Sequence, residues 1–188
     1  MARGGRGSNT LRIIGGQWRG RKLRFADAEG LRPTTDRVRE TLFNWLAPVI
    51  EGARCLDLFA GSGALGLEAL SRGAAEVVFL DTNPKAVAAL RENLSLLQTD
   101  NGRIERSDAL KYLRGAPRPF DIVFLDPPFR RDLLAPALDL LAGEGWLSPG
   151  ARIYLELESE LGEPELPEGW QLLRSKKAGQ VAYFLVQS

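Results

Sequence analysis

The chain has 188 residues, 44% hydrophobic and 26% charged, which suits one sizeable globular core. It contains no histidine and a single cysteine, Cys55, read as a small core residue. These counts exclude an intrachain disulfide, Ser-His-Asp and Cys-His catalysis, and the commonest metal ligand, so no metal is expected. No apolar run is as long as a membrane span and no signal-like segment is evident, so a soluble, cytoplasmic protein is expected.

The net charge of +1 is unevenly placed. Residues 1–50 carry ten Arg/Lys and four Asp/Glu, while residues 51–188 carry fifteen and twenty. Seven basic residues precede the first acidic one, Asp27. Such asymmetry fits either an electropositive arm facing a polyanion or a solvated basic tail.

Residues 1–10, MARGGRGSNT, have almost nothing to bury, so a disordered basic tail is expected. Two short alternating segments, Leu11–Ile14 and Lys22–Phe25, flank Gly15-Gly16 and predict a β-hairpin. Its exposed positions are expected to be Arg12, Arg19, Arg21, Lys22 and Arg24, with Trp18 among them. Basic residues interleaved with an aromatic suit nucleic acid, whereas a plain hairpin merely covers a sheet edge. A loop then leads to a helix capped by Thr35 or Asp36. Val38, Leu42, Trp45 and Leu46 form its apolar face. Arg37, Arg39 and Glu40 fall off that face. Arg32, Arg37 and Arg39 are either solvated or extend the basic surface. Residues 11–50 are therefore expected to form an N-terminal nucleic-acid-binding hairpin and helix, and residues 51–188 the main domain.

From Arg54 the pattern alternates. Strands are predicted at Arg54–Phe59, Glu76–Leu80, Arg103–Arg106 and Phe120–Leu125. Helices are predicted at Ala64–Arg72, from Asn83-Pro84, from Ser107-Asp108, and at Leu133–Ala142. Repeated strand-helix-strand units imply a parallel sheet covered on both faces. The end of the chain departs from this rhythm. After a strand at Ala151–Leu157, Pro164, Pro167 and Gly169 leave little room for a crossover helix. Trp170–Ser175 and Val181–Val186 read as an antiparallel hairpin through Gly179. The expected fold is α/β and Rossmann-like, a mostly parallel sheet with one antiparallel strand.

Two loops carry the candidate chemistry. Gly61, Gly63 and Gly66 spell G-x-G-x-x-G after the first strand of the main domain, and Asp81 ends the next strand. This pattern suits a dinucleotide or S-adenosylmethionine, with Asp81 on the ribose hydroxyls. Asp57, just before the glycines, disfavours a pyrophosphate and suits the cationic end of S-adenosylmethionine. Asp108, after the third strand, is placed either to accept from an adenine amino group beside Ala109 or to favour a helix dipole. Leu125-Asp126-Pro127-Pro128-Phe129 follows an apolar strand. The prolines stiffen it, so it offers a carboxylate, fixed carbonyls and a ring to a planar group bearing an amine. Asp126 and the Pro127 carbonyl are suited to hold the two N–H bonds, and Phe129 to stack on the plane. Strand order is expected to reverse between Arg54–Phe59 and Phe120–Leu125, opening both loops side by side.

These motifs, together with Arg32-Pro33-Thr34-Thr35-Asp36-Arg37-Val38-Arg39-Glu40, resemble the bacterial 16S rRNA guanine-N2 methyltransferases of the RsmD type, within the class I S-adenosylmethionine-dependent methyltransferases. The resemblance runs from about Arg12 to the C-terminus. It implies a seven-stranded sheet. It also implies that Asp57, Phe59, Ala60, Gly61, Ser62, Gly63, Asp81, Thr82, Asp108 and Ala109 line the S-adenosylmethionine site. The implied substrate is a guanine of 16S rRNA, of the guanine-966 type, in free rRNA or a small-subunit assembly particle. The hairpin and Arg32–Arg39 are then implied to bind rRNA, and a monomer is expected. Another amino methyltransferase, an NAD(P)-dependent oxidoreductase and a non-catalytic RNA-binding protein are the rival readings.

Overall fold

The computed structural model describes residues 9–27, 34–129, 131–143 and 145–188. Its centre is a seven-stranded sheet. In chain order the strands are β3 (Arg54–Asp57), β4 (Glu76–Asp81), β5 (Gly102–Arg106), β6 (Phe120–Leu125), β7 (Leu147–Glu158), β8 (Gln171–Ala178) and β9 (Val181–Gln187). Across the sheet they run β5-β4-β3-β6-β7-β9-β8. Strand β9 is antiparallel to both its neighbours, and the remaining pairings are parallel. This is the mostly parallel sheet with one antiparallel strand expected from the sequence. The reason also holds. Only a 3-10 turn, Ser159–Leu161, lies between β7 and β8, and Gly179 with φ +62° closes the last hairpin.

Because the sheet is covered on both faces, its strands are continuous apolar runs whose alternate residues enter two cores. Cys55, Phe79, Ile122, Phe124 and Tyr154 join helices α1 (Asp36–Leu46), α2 (Ala64–Ser71) and α3 (Pro84–Leu96) on one face. Leu56, Leu80, Val123, Leu125 and Leu155 join α4 (Ala109–Leu113) and α5 (Leu134–Ala142) on the other. Asn83 caps α3 by accepting from the Lys85 N–H, with Pro84 at the first position. Thr35, not Asp36, is the N-cap of α1 and accepts from the Val38 N–H.

The N-terminal hairpin pairs β1 (Thr10–Arg12) with β2 (Lys22–Arg24). Thr10 sits opposite Arg24, so the ordered hairpin begins within the stretch expected to be tail. Leu11 and Leu23 face the core, leaving Thr10, Arg12, Lys22 and Arg24 outward. The connection is longer than Gly15-Gly16. Ile13 and Gly20 extend the ladder, and Gly16 and Gly20 both adopt positive φ.

This hairpin is no separate unit, because α2 grips its connection. The Glu68 carboxylate accepts from the Ile14 N–H at 3.0 Å and the Gly15 N–H at 2.8 Å. Ser71 Oγ donates to the Gly15 carbonyl at 2.6 Å and accepts from the Trp18 N–H at 3.0 Å. A Cβ at Gly16 would lie 1.9 Å from the Ser71 carbonyl oxygen, so only glycine allows this approach.

Arg39 corrects the sequence reading. Its side chain is 1% exposed, and it pairs with Glu68, which is fully buried, at 3.3 Å. It also pairs with Asp36 at 2.6 Å. A buried guanidinium engaged by two carboxylates is unavailable to RNA. Removing Arg39 leaves buried Glu68 with Arg72 and two backbone N–H groups, so the cost is that of lost charge-assisted hydrogen bonds and not of an uncompensated charge. Arg39→Met is therefore expected to lower unfolding free energy by about 1.5–3 kcal/mol in urea denaturation. Exposed Arg37→Ala should stay within about 0.5 kcal/mol of the parent. Equal, small effects would return Arg39 to the surface.

Candidate active site

The glycine loop runs from the end of β3 into α2. Gly61 and Gly63 have φ of +53° and +81°, which suits glycine. Packing fixes two of the three glycines independently of any ligand. A Cβ at Gly63 would lie 2.3 Å from Leu90 Cδ2, and one at Gly66 would lie 2.2 Å from the Phe79 ring.

Two carboxylates hold the loop. Asp81, half-buried at the end of β4, accepts from the Gly61 N–H at 2.9 Å and from the Asn83 N–H at 2.8 Å. Each of its oxygens keeps acceptor capacity for a hydroxyl. Asp57, buried at the end of β3, accepts from the Gly66 N–H at 3.1 Å. The Ala64 N–H is taken by Ser62 Oγ at 3.3 Å. Two amides of the first turn of α2 are thus engaged, and a carboxylate lies beneath them. That arrangement is poorly suited to the pyrophosphate that helix N-termini otherwise bind.

Asp126 follows β6, the neighbour of β3, where the strand order reverses. The two strand ends are joined by the Leu58 N–H donating to the Phe124 carbonyl at 3.2 Å. The two loops therefore do open together. Pro127 is buried and Phe129 is 43% exposed, so a rigid backbone carries a ring accessible to solvent.

Two partners of Asp126 escape the sequence reading. Thr34, just before α1, brings its hydroxyl within 3.4 Å of Asp126 Oδ2 and 3.5 Å of Glu156 Oε2. Glu156 lies on β7, one residue past the partner of Leu125. The buried Tyr154 hydroxyl donates to Glu156 Oε2 at 2.9 Å. Burial pushes Asp126 well above the usual carboxylate range, reinforced by Glu156 and Asp57. Burial also raises Glu156, against the lowering effect of hydrogen bonds from Tyr154, Thr34 and Asp126. Burial raises the Cys55 thiol beyond useful reactivity, as suits a core residue.

Residues 11–187 match the family described as Conserved hypothetical protein 95. Ribosomal RNA small subunit methyltransferase D of Escherichia coli strain K12 is 57% identical over 96% of this chain and 91% of its own length. The protein of the same name from Haemophilus influenzae is 48% identical over 95% of this chain and 94% of its own. The chain belongs to this family. A solved Escherichia coli structure, yhhF, is 54% identical, with a TM-score of 0.90 over 95% of this chain and 97% of that one. The family resemblance in the sequence is therefore borne out, the sheet is that of the class I methyltransferases, and the protein is a methyltransferase.

Within that family fold the other expected residues divide. Phe59 is half-buried and packs on the core, and Ala60, Ser62 and Ala109 are buried. Thr82 is exposed, and its carbonyl accepts from Arg106 at 3.2 Å. Asp108 is the N-cap of α4, accepting from the Lys111 N–H at 2.9 Å, so the helix-terminus reading describes its present bond. Arg12, Arg19, Arg21, Lys22, Arg24 and Arg37 are exposed. Trp18 is half-buried against the core, not an open aromatic platform. Arg32 lies outside the described residues. A cleft of about 270 Å³ between the hairpin and α1 is lined by Arg12, Lys22, Thr34 and Asp36, among others. Its wall includes Thr34, whose hydroxyl is 3.4 Å from Asp126 Oδ2. Among the described residues, no helix is long and apolar enough to cross a membrane.

Burial raises the Asp57 carboxyl from 3.8 to about 7, against the Gly66 N–H and with help from nearby Asp81. The folded state thus keeps a proton that the unfolded chain releases above about pH 4. The stabilising contribution is complete below the unfolded value and is lost as pH rises through about 7. Asp57→Asn removes that titration. Its unfolding free energy, measured in urea between pH 4 and 8, should fall less with rising pH than that of the parent. Parallel profiles would show that Asp57 keeps an ordinary carboxyl.

Proposed function

We propose that the protein transfers a methyl group from S-adenosylmethionine to the exocyclic N2 of a guanine in 16S rRNA, the guanine-966 type by resemblance. The observation that carries this reading is the Asp126–Phe129 loop beside the glycine loop at the strand-order reversal. The relatives' names support ribosomal RNA of the small subunit as substrate.

The donor set fits S-adenosylmethionine. Asp81 has acceptor capacity for ribose hydroxyls, and Asp57 already takes the Gly66 N–H that a dinucleotide's phosphates would need. Both would hold the donor with the glycine loop and Ala109. When bound, it supplies an already activated methyl group, so the protein need not generate an electrophile.

What remains is positioning. The guanine amine is a weak nucleophile because its lone pair is delocalised into the ring. Asp126 and the Pro127 carbonyl accept its N–H bonds, and Phe129 stacks on the base. Holding the base in this geometry replaces a bimolecular encounter and is the main source of acceleration. Absence of histidine suits a reaction whose protein groups are carboxylates and carbonyls. The base must leave its stack to enter. Arg12, Lys22 and Arg24 on the outer hairpin face, with Arg19 and Arg21 in its connection, draw in the RNA backbone.

Asp126→Ala should reduce methyl transfer to 16S rRNA by about a hundredfold or more, with S-adenosylmethionine affinity by calorimetry within a few-fold of the parent. An equal loss of donor binding would remove Asp126 from the amine. The combined Arg19, Arg21 and Lys22 substitution to Ala should weaken RNA binding and flatten the slope of log affinity against log salt. The slope should change by about 0.7–0.9 for each phosphate that is no longer neutralised. An unchanged slope would make the hairpin purely structural.

A further inference from the structure

Glu156 is nearly buried behind half-buried Asp126, and the function described above does not use it. Both carboxyls approach one Thr34 hydroxyl, at 3.4 Å for Asp126 Oδ2 and 3.5 Å for Glu156 Oε2, so they lie close together. Leu155 is the register partner of Leu125, so Glu156 and Asp126 leave adjacent strands at the same level. Two carboxylates in contact cannot both ionise, so the pair holds one proton. Its location follows from the donors. Glu156 receives the Tyr154 hydroxyl at 2.9 Å, and Tyr154 is fully buried with no water to compete. The one Thr34 proton is shared at longer range between both carboxyls. The anion is therefore better stabilised on Glu156, and Asp126 holds the proton in a bond to it.

We propose that Glu156 is the final acceptor of the proton released by the methylated amine, and that this proton reaches it through Asp126. The inference rests on the reading of Asp126 as the residue that holds the amine. As the amine nitrogen bonds to the methyl carbon, the donor's C–S bond breaks and its electron pair stays on sulfur. The nitrogen then carries a positive charge and a surplus proton. Asp126 takes that proton on the oxygen facing the base and passes its own to Glu156. Asp126 is neutral before and after, and Glu156 changes from carboxylate to acid. Solvent recovers the proton once the product leaves. The groups facing the pair are Asp57 on β3, Tyr154 on β7, Tyr183 on β9 beside Tyr154, and Thr34 ahead of α1. Arg39 on α1 is engaged by Glu68 and Asp36, so it does not neutralise Glu156. Glu156 acts through Asp126, as a positioning and proton-holding residue.

Carboxyl 13C NMR of the donor-free protein tests the resting state. As pH rises, Glu156 should ionise before Asp126, and in Glu156→Gln the Asp126 titration should move to lower pH. Single-turnover transfer to rRNA tests the path. Glu156→Gln keeps the packing but cannot accept a proton. It should slow transfer by about tenfold or more and lose the acid limb of the pH profile, with donor affinity unchanged. Tyr154→Phe removes a donor to the anion and should move that limb to higher pH, which decides the matter if Glu156→Gln does not fold. An ionised Asp126 beside a protonated Glu156, or parental profiles in both variants, would overturn the proposal. If the parent itself methylates no base amine, the function reading falls, and the NMR titration still judges the pair.

Discussion

One buried carboxylate, Glu68, holds the N-terminal arm to the methyltransferase sheet. It accepts two backbone N–H groups from the hairpin connection, the Arg39 guanidinium from α1 and Arg72 from its own helix. A charge fully out of water is tolerable only with such partners. Here the partners come from two segments distant in the chain and from the end of Glu68's own helix. Satisfying Glu68 therefore fixes where the hairpin and α1 sit over α2. The helix that carries Glu68 also begins at the glycine loop, so the arm and the loop are referred to one rigid element.

The consequence appears at the start of α1. With Arg39 anchored, the start of that helix places Thr34 against Asp126 and Glu156. The segment Thr34-Thr35-Asp36-Arg37-Val38-Arg39 is thus largely architectural. Thr35 caps the helix, Asp36 and Arg39 extend the ion network, and Thr34 reaches the Asp126–Phe129 loop. Arg12 meets Asp36 at 3.5 Å on the exposed side, linking the basic hairpin face to the same network. Three carboxyls, Asp57, Asp126 and Glu156, close the C-terminal ends of three adjacent strands. Burial raises the proton affinity of all three, and at Asp126 the charges of Glu156 and Asp57 reinforce it.

Much of this is legible in the sequence because strand burial and loop chemistry leave local marks. Continuous apolar runs mark the strands. The reversal rule then puts Asp126–Phe129 beside Gly61, and Pro164, Pro167 and Gly179 mark the antiparallel end. Arg39 escapes because periodicity counts only apolar residues, and its partner Glu68 is distant in sequence. A signal exists. Glu68 is the one charge in Ala64–Ser71, a helix otherwise of small and apolar residues, so it needs a cation. Glu156 leaves a similar mark, a lone carboxylate between Leu155 and Leu157 beside the Asp126 strand. The glycines are legible as a turn but not in cause. Gly63 and Gly66 answer to Leu90 and Phe79 as much as to any ligand. Trp18 reads as open because alternation does not reveal what packs over a hairpin.

In the proposed function, a stiff loop, a buried carboxyl pair and a basic arm together present one base amine to a methyl donor. The identity of that amine is the central claim. The direct measurement is digestion of 16S rRNA, methylated in vitro with isotopically labelled S-adenosylmethionine, to nucleosides separated by chromatography and mass. The label should appear in N2-methylguanosine. Label in N6-methyladenosine, in another nucleoside or in none would contradict the account.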